Sequence, residues 1–160
     1  MALTTAQLQA LAVDIAASEF SAHPQISDSA YVIAQAYNLN ASPDFTVWKS
    51  LVSLDEIGRT MDAGEIETLS GLENDRMRTF AVYSPNGVTP SRIDHRAFFD
   101  GVFSGAGGTV TRPALLVLWK RLATRVETLL ATGTGSDASP GTMTHEGNIS
   151  YSIVLAAWAA

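Results

Sequence analysis

The sequence predicts a mostly α-helical protein, a small multi-helix bundle with an extended C-terminal arm that contains a short strand or hairpin. Helix-capping patterns recur along the first 132 residues, and apolar residues follow them at helical spacing. At Gly133 a run rich in Gly, Ser and Thr begins, with little apolar surface. We therefore expect a helical body over residues 1–132. The C-terminal segment, residues 133–160, is expected to be a flexible linker with a docking arm.

The first two helices are predicted from caps and from prolines. Thr4-x-x-Gln7 fits a capping box and starts a helix that should stop before His23-Pro24, because proline disfavours helical geometry in the residue before it. Ser27-Asp28-Ser29 can cap a second helix that runs to about Tyr37. Apolar residues at helical spacing within both segments indicate that each helix has one buried face.

The middle of the chain predicts further short helices. Ser42-Pro43-Asp44 should open a third helix, with proline in its first turn. Ser53-x-x-Glu56 is a capping box for the next. Asp62-x-x-Glu65 should start a helix that reaches about Tyr83, although its glycines weaken the prediction of one continuous helix.

Two more helices and the C-terminal segment complete the expectation. Ser91 should cap a helix that ends near Ser104, and Thr109 or Thr111 should cap a last long helix that stops around Ala131. The alternation from Thr142 to Glu146 predicts a strand offered to a partner or a small hairpin turning at Gly147-Asn148. Ser150 or Ser152 should cap a final short helix.

Composition excludes several classes of function. The chain has 160 residues, 46% of them hydrophobic, enough for one domain with a core. Its net charge of −6 argues against a nucleic-acid binder, and the absence of cysteine excludes disulfides and thiolate chemistry. Its apolar runs fall far short of the roughly 20 residues that span a bilayer. The N-terminus lacks the features of a signal peptide, so a soluble intracellular protein is expected.

Charge is distributed unevenly along the chain. Residues 1–70 carry a net charge of −7, residues 71–132 carry +3, and the C-terminal segment carries −2. One explanation is that the helices simply differ in their solvent faces. The other is head-to-tail association, in which the acidic part of one copy meets the basic part of the next.

Motifs for catalysis, cofactors or metals are missing from the sequence. The three histidines are scattered without metal-ligand spacing, and no serine lies in a nucleophile elbow. The loops Gly105–Gly108 and Gly133–Ser136 lack the lysine of a phosphate-binding loop. The acidic pairs Asp55-Glu56 and Glu65/Glu67 suit the positive ends of helix dipoles better than acid–base work. We therefore expect no catalytic, cofactor-binding or metal-binding residues.

Partner contacts are the remaining candidates for function. Trp158 should anchor the C-terminal segment in a partner, unless it folds back on its own core. The predicted partner-binding residues are Thr142, Met143, Thr144, His145, Glu146, Ile149, Tyr151, Leu155 and Trp158. The subunit-contact candidates are Arg76, Arg78, Arg92 and Arg96, and a merely solvated basic surface is their alternative. Lys120, Arg121 and Arg125 form a second basic region.

Three parts of the chain resemble small virion proteins of long-tailed bacteriophages. They are residues 3–8, residues 41–48, and the run from Leu122 through Gly147. Among those proteins the architecture is most similar to the head–tail connector, or adaptor, class. The stretch from Gly71 to Ser91 departs most from the resemblance.

The resemblance implies a structural protein of the phage neck. Such proteins are small and helical, assemble as a ring, commonly of twelve copies, beneath the portal, and grip the portal or neighbours with a C-terminal arm. The implied partners are the portal protein, a tail-side neck protein and sister subunits, with DNA only as passing cargo and no membrane. The implied location is the virion head–tail junction, after synthesis in the host cytoplasm. A tail-terminator or other tail-completion ring is the alternative, and a small hydrolase or nucleotide-binding enzyme is the alternative of another class.

Overall fold

The computed structural model describes residues 2–160, and within them the chain is mostly helical, as the sequence predicts. The helices are α1 Thr5–Ala17, α2 Ser27–Tyr37, α3 Leu54–Thr60, α4 Ala63–Thr68, α5 Gly71–Tyr83, α6 Ile93–Val102, a 3-10 turn Gly105–Gly108, α7 Thr111–Leu118, α8 Arg125–Leu129 and α9 Tyr151–Trp158. The strands are β1 Thr46–Trp48, β2 Lys120–Leu122, β3 Ala131–Thr132 and β4 Thr142–Met143. Strand β1 pairs with β2, and β3 pairs with β4.

The chain divides into two compact units, but not at the expected place. Unit 1 runs from the N-terminus to Val47 and again from Leu122 to Ala160, while unit 2 is the stretch Trp48–Arg121 between them. The expected boundary between residues 132 and 133 is therefore not where the structure divides. The C-terminal segment belongs to the same unit as α1 and α2 because it completes their core.

Unit 1 is a helical core closed by both ends of the chain. The predicted capping box forms, since the Thr4 hydroxyl accepts from the Gln7 backbone and the Gln7 side chain accepts from the Thr4 backbone. Helix α9 packs against α1 and α2 and brings Val154 and Ala157 into the core. The buried core residues of this unit are Leu3, Leu11, Ile15, Ala30, Ile33, Ala34, Tyr37, Val126, Leu130, Ile149, Val154 and Ala157.

The predicted linker is folded and hydrogen-bonded. The Thr46 N–H donates to the Gly135 carbonyl at 2.6 Å, and the Gly141 N–H donates to the Thr46 carbonyl at 2.9 Å. Both glycines lie against the Phe45 ring, and a Cβ atom at Gly135 would stand 2.2 Å from that ring. The linker is therefore a tight loop that joins β3 to β4 and covers an aromatic side chain.

The predicted strand of the C-terminal segment exists, and its partner lies in the same chain. Strand β4 pairs antiparallel with β3, with Ala131 opposite Met143 and Thr132 opposite Thr142. The hairpin thus turns over residues 133–141 instead of at Gly147-Asn148. The short helix predicted to follow is α9, which begins one residue after Ser150.

Unit 2 is a set of short helices around an aromatic core. The capping box Ser53/Glu56 forms as predicted. The expected helix from Asp62 to Tyr83 is broken at Leu69, because Ser70 and Glu73 form a further capping box that starts α5. The buried core residues are Val52, Ile57, Val88, Phe99, Val102, Phe103, Leu115 and Trp119.

Two other helix predictions are wrong. The segment after Ser42-Pro43 forms β1, since Thr46, Val47 and Trp48 favour extended backbone. The expected long last helix ends at Leu118, continues as β2, and restarts as α8 at a Thr124/Glu127 capping box. In the first case a preference for extended backbone outweighed the proline signal for a helix start, and in the second a further cap outweighed apolar periodicity.

The packing of Phe45 predicts a large penalty for a side chain at position 135. In Gly135→Ala the new Cβ meets the ring, and φ at this glycine is +66°, so we expect unfolding free energy to fall by about 1–3 kcal/mol. Gly105→Ala is the matched control, because its φ is +64° and nothing lies within 4 Å of the added Cβ. Urea unfolding of both variants measures the difference. Equal losses would mean that backbone strain alone, and not the ring contact, limits position 135.

Candidate interaction surfaces

The C-terminal segment is held to the rest of unit 1 by the side chain of Asn38, which makes two hydrogen bonds to the backbone of the segment. The Asn38 amide donates to the Ile149 carbonyl at 2.9 Å and accepts from the Ile149 N–H at 2.8 Å. The Thr144 hydroxyl donates to the Leu130 carbonyl, and the Gln7 amide donates to that hydroxyl at 3.2 Å. The segment is therefore fixed by polar contacts as well as by apolar burial.

A buried carboxylate adds a further contact to the segment. Glu127 is only 1% exposed, and it accepts from the Thr124 N–H at 2.9 Å and from the Gly147 N–H at 2.8 Å. One oxygen caps the start of α8, while the other holds the turn before α9. Since a buried carboxylate is stabilised by such donors, Glu127 is a structural residue that joins the start of α8 to the turn before α9.

The predicted partner-binding residues fall into three groups by burial. His145 and Ile149 are buried in unit 1 itself. Met143, Leu155 and Trp158 are partly buried, and Leu155 and Trp158 pack against that unit's core. Thr142, Thr144, Glu146 and Tyr151 are exposed. Trp158 therefore packs on the core of its own unit, which was the alternative to anchoring in a partner. Partner contact by the exposed members stays a prediction, for which Tyr151, 49% exposed, offers the largest apolar surface.

The four arginine candidates lie on two helices of unit 2 or beside them. Arg92 pairs with Asp94, and the Arg96 guanidinium stacks over the Trp48 ring at 4.2 Å while donating to the Pro90 carbonyl. Arg76 and Arg78 are exposed on α5. Arg96 is thus engaged within its own unit, and Arg76 and Arg78 are better placed for contact with another molecule.

Helix α5 carries an exposed apolar groove that the sequence analysis missed. None of its thirteen residues is buried, and Leu72, Val82 and Tyr83 are 63%, 74% and 83% exposed. The groove has a volume of about 410 Å³ and is lined by Leu72, Asp75, Arg76, Thr79, Phe80, Tyr83 and Phe98. Phe80 stacks on Phe98 with ring centroids 4.5 Å apart and forms its floor. The signal that could have found it is the presence of further apolar residues on α5, namely Leu72, Val82 and Tyr83, besides Met77 and Phe80, which pack against the core.

Arg125 is the centre of an ionic cluster in unit 1. Its guanidinium lies 2.6 Å from a Glu19 carboxylate oxygen and 3.5 Å from one of Asp14, and 4.3 Å from the centre of the Tyr37 ring. Tyr37 donates to Asp14, and its burial together with this hydrogen bond raises the pKa of the phenol. The arginine predicted to belong to a basic patch is therefore compensated by two carboxylates.

The net charges of the two folded units differ from those of the acidic and basic halves of the sequence. Unit 1 holds seven acidic residues and a single basic one, Arg125, which gives a net charge of −6. Unit 2 holds nine acidic and nine basic residues and is neutral overall. The basic half predicted from residues 71–132 is balanced in three dimensions by the acids of residues 48–70.

Glu65, which was expected to interact with the dipole of its own helix, has a different role. The Glu65 carboxylate accepts from the Val110 and Thr111 N–H groups, both at 2.8 Å, and from the Thr109 hydroxyl at 3.2 Å. It therefore caps the start of α7 from a distant part of the chain. Burial alone would raise its pKa, but these donors outweigh it and lower the pKa to about 2.

Each histidine has a local role in its unit. His23 contacts the Phe20 ring, His95 accepts from the Thr89 N–H at 3.0 Å, and buried His145 pairs with the Gly147 carbonyl. Across residues 2–160, no group of three or more His, Cys, Asp or Glu side chains is placed to hold a metal ion. Over the same residues, no helix is both long and apolar enough to cross a membrane.

Comparison with known proteins gave no match among family models, curated proteins or solved structures.

The position of Glu65 predicts a stability that depends on pH. Because the folded pKa of about 2 lies below the ordinary value of 4.5, the carboxylate stabilises the fold fully above about pH 4.5. This contribution is lost as pH falls from there towards 2. Glu65→Gln should lower the melting temperature at pH 7 and flatten its dependence in that window, as followed by circular dichroism. Glu67→Gln, at an exposed position on the same helix, is the control, and equal behaviour of the two variants would refute the capping role.

The buried position of Ile149 predicts that the C-terminal segment is part of the folding unit. Ile149→Ala should lower the unfolding free energy by about 2–5 kcal/mol, because it removes a side chain only 3% exposed in the core. Tyr151→Ala, on the exposed surface two residues later, should change it by less than about 0.5 kcal/mol. Urea denaturation checks both values. A negligible loss for Ile149→Ala would favour the mobile arm expected from the sequence.

Proposed function

We propose that this chain is a structural virion protein of the phage neck, which assembles non-covalently into a ring that joins the portal and head to the tail. The observation that carries the proposal is where the resemblance lies in three dimensions. Residues 3–8, residues 41–48 and the run from Leu122 to Gly147 are distant in sequence, yet all of them except Trp48, the first residue of unit 2, belong to unit 1. The stretch Gly71–Ser91, which departs most from the resemblance, lies in unit 2. The similar parts thus form one folded module, into which a separate unit is inserted.

The helical content supports a neck adaptor over a tail terminator. A tail-terminator ring is expected to have an α/β body, whereas the longest strands among the described residues have three residues. The carboxylates most strongly engaged, Glu65 and Glu127, are held by backbone N–H groups and serve as caps. Their arrangement favours a structural role over acid–base chemistry.

The proposed mechanism uses folded surfaces in place of a mobile arm. The C-terminal segment is bound to its own unit through Asn38, Glu127 and the core, so partners would meet its exposed side, where Tyr151 lies. Weak contacts repeated around a ring add up to a stable joint, because each further contact forms at high effective concentration. The ring would hold about twelve copies by resemblance, with DNA passing through it as cargo and the portal and a tail-side neck protein as partners. The chain would be made in the host cytoplasm and end at the virion head–tail junction.

The test is direct binding to the portal ring of the phage that encodes this chain. We expect the purified protein to co-sediment with that portal and to appear as an added layer in electron micrographs. Tyr151→Ala should weaken binding by about tenfold, as loss of an aromatic contact residue does. Tyr31→Ala, at a comparably exposed tyrosine on α2, should leave it unchanged. Absence of any portal complex would overturn the proposed function.

A further inference from the structure

The outer face of α5 has the composition of a contact surface. Leu72, Arg76, Thr79 and Tyr83 recur at helical spacing, all are exposed, and all line the groove above Phe80 and Phe98. An arginine thus stands between two apolar residues on one stripe. Contiguous exposed apolar surface of this kind marks interaction sites, since isolated apolar residues would not form a groove.

Unit 1 carries a surface with complementary properties. A shallow apolar depression of about 450 Å³ lies between α1 and α8, lined by Gln9, Ala10, Val13, Asp14, Ala17 and Leu129. Ala10 and Ala17 leave space between turns of α1, while Val13 is 71% exposed. A protruding aromatic side chain such as Tyr83 can occupy a depression of this kind, with its ring against small apolar residues.

Charge favours contact between these two surfaces. Unit 1 has a net charge of −6, and its one basic residue, Arg125, is already paired with Glu19 and Asp14. Asp14 lies at the edge of the depression, and Arg76 and Arg78 are exposed on α5. Asp75 also lines the α5 groove, so this face carries one charge of each sign, and Arg76 is the group that would meet Asp14.

We infer that the α5 face of one copy, Leu72, Arg76, Thr79 and Tyr83, docks on the α1/α8 depression of a second copy. Such a contact is heterologous, because it joins two different surfaces and leaves one of each free at the ends. It therefore propagates from copy to copy and closes into a ring where the rotation between copies allows. The inference rests on the proposed function, since it names the subunit contact of the proposed ring.

The experiment uses two variants of the full-length chain, each with one surface destroyed. In sedimentation velocity the wild-type protein should self-associate. Tyr83→Asp and Val13→Asp should each be monomeric alone, with association at least about tenfold weaker. An equimolar mixture of the two should form a dimer and stop there, because the first variant keeps an intact depression and the second keeps an intact α5 face.

The controls separate docking from folding and from general stickiness. Ile93→Ser replaces a residue that is 75% exposed in unit 2 and outside the groove, so its association should stay within about twofold of wild type. Both aspartate substitutions are at exposed positions and should melt like wild type. Raising NaCl from about 0.05 M to about 0.5 M should weaken association, since the contact joins an arginine-bearing face to an acidic unit.

Three results would overturn the inference: a monomeric wild type at all concentrations, a single variant that still assembles, or a mixture that fails to dimerise. These outcomes are distinct from failure of the proposed function. Portal binding by a protein that stays monomeric would refute the α5 contact and leave the neck proposal standing. Self-association by the predicted contact without portal binding would support the α5 contact and refute the neck proposal.

Discussion

Closure of unit 1 by the two ends of its chain is the constraint on which the rest of the structure depends. The inner faces of α1 and α2 bury Leu11 and Ile33 in a core to which α9, packed against both helices, supplies Val154 and Ala157. Since the N-terminal and C-terminal parts fold together as unit 1, the stretch Trp48–Arg121 between them is an insertion in that unit. This explains how a segment that looks like a linker and an arm comes to be ordered. Its loop is fixed at Phe45, its turn at Glu127, and its last helix by the core.

In both units a glutamate carboxylate accepts hydrogen bonds from backbone N–H groups at the start of a helix. In unit 1 the carboxylate of Glu127 accepts from the start of α8 and from Gly147, and in unit 2 that of Glu65 accepts from the start of α7. Each joins parts of the chain that are distant in sequence, and each satisfies backbone donors that a helix start leaves without intrahelical partners. For Glu65 these donors lower the pKa of the carboxyl group, so it stays ionised and fixed, which suits a structural joint and removes it from proton transfer.

Sequence patterns predicted the local helix starts better than the contacts between segments that are distant in sequence. The Thr4/Gln7 and Ser53/Glu56 capping boxes identified the starts of two helices, because a cap is a contact between residues three apart. The Thr124/Glu127 box is an equally local contact, and it divides the expected long last helix. The closure of unit 1 was not predictable in this way, since the Asn38–Ile149 pair joins residues 111 positions apart. The α5 face was not predicted, because the exposure of Tyr83 depends on what lies opposite it in the folded unit and not on its neighbours in sequence.

An ordered C-terminal segment changes the energetics of assembly. A mobile arm that orders on binding loses conformational entropy at that moment, so part of its contact energy is spent on ordering. To reach a neighbour, this segment would first have to give up the burial of Ile149 and Val154 and the two hydrogen bonds of Asn38. Contact between preformed surfaces avoids both costs, because the side chains of α5 and of the α1/α8 depression are already presented by folded helices. Repetition of such contacts then allows each one to remain weak, so that copies can dissociate and correct their positions before a closed assembly forms.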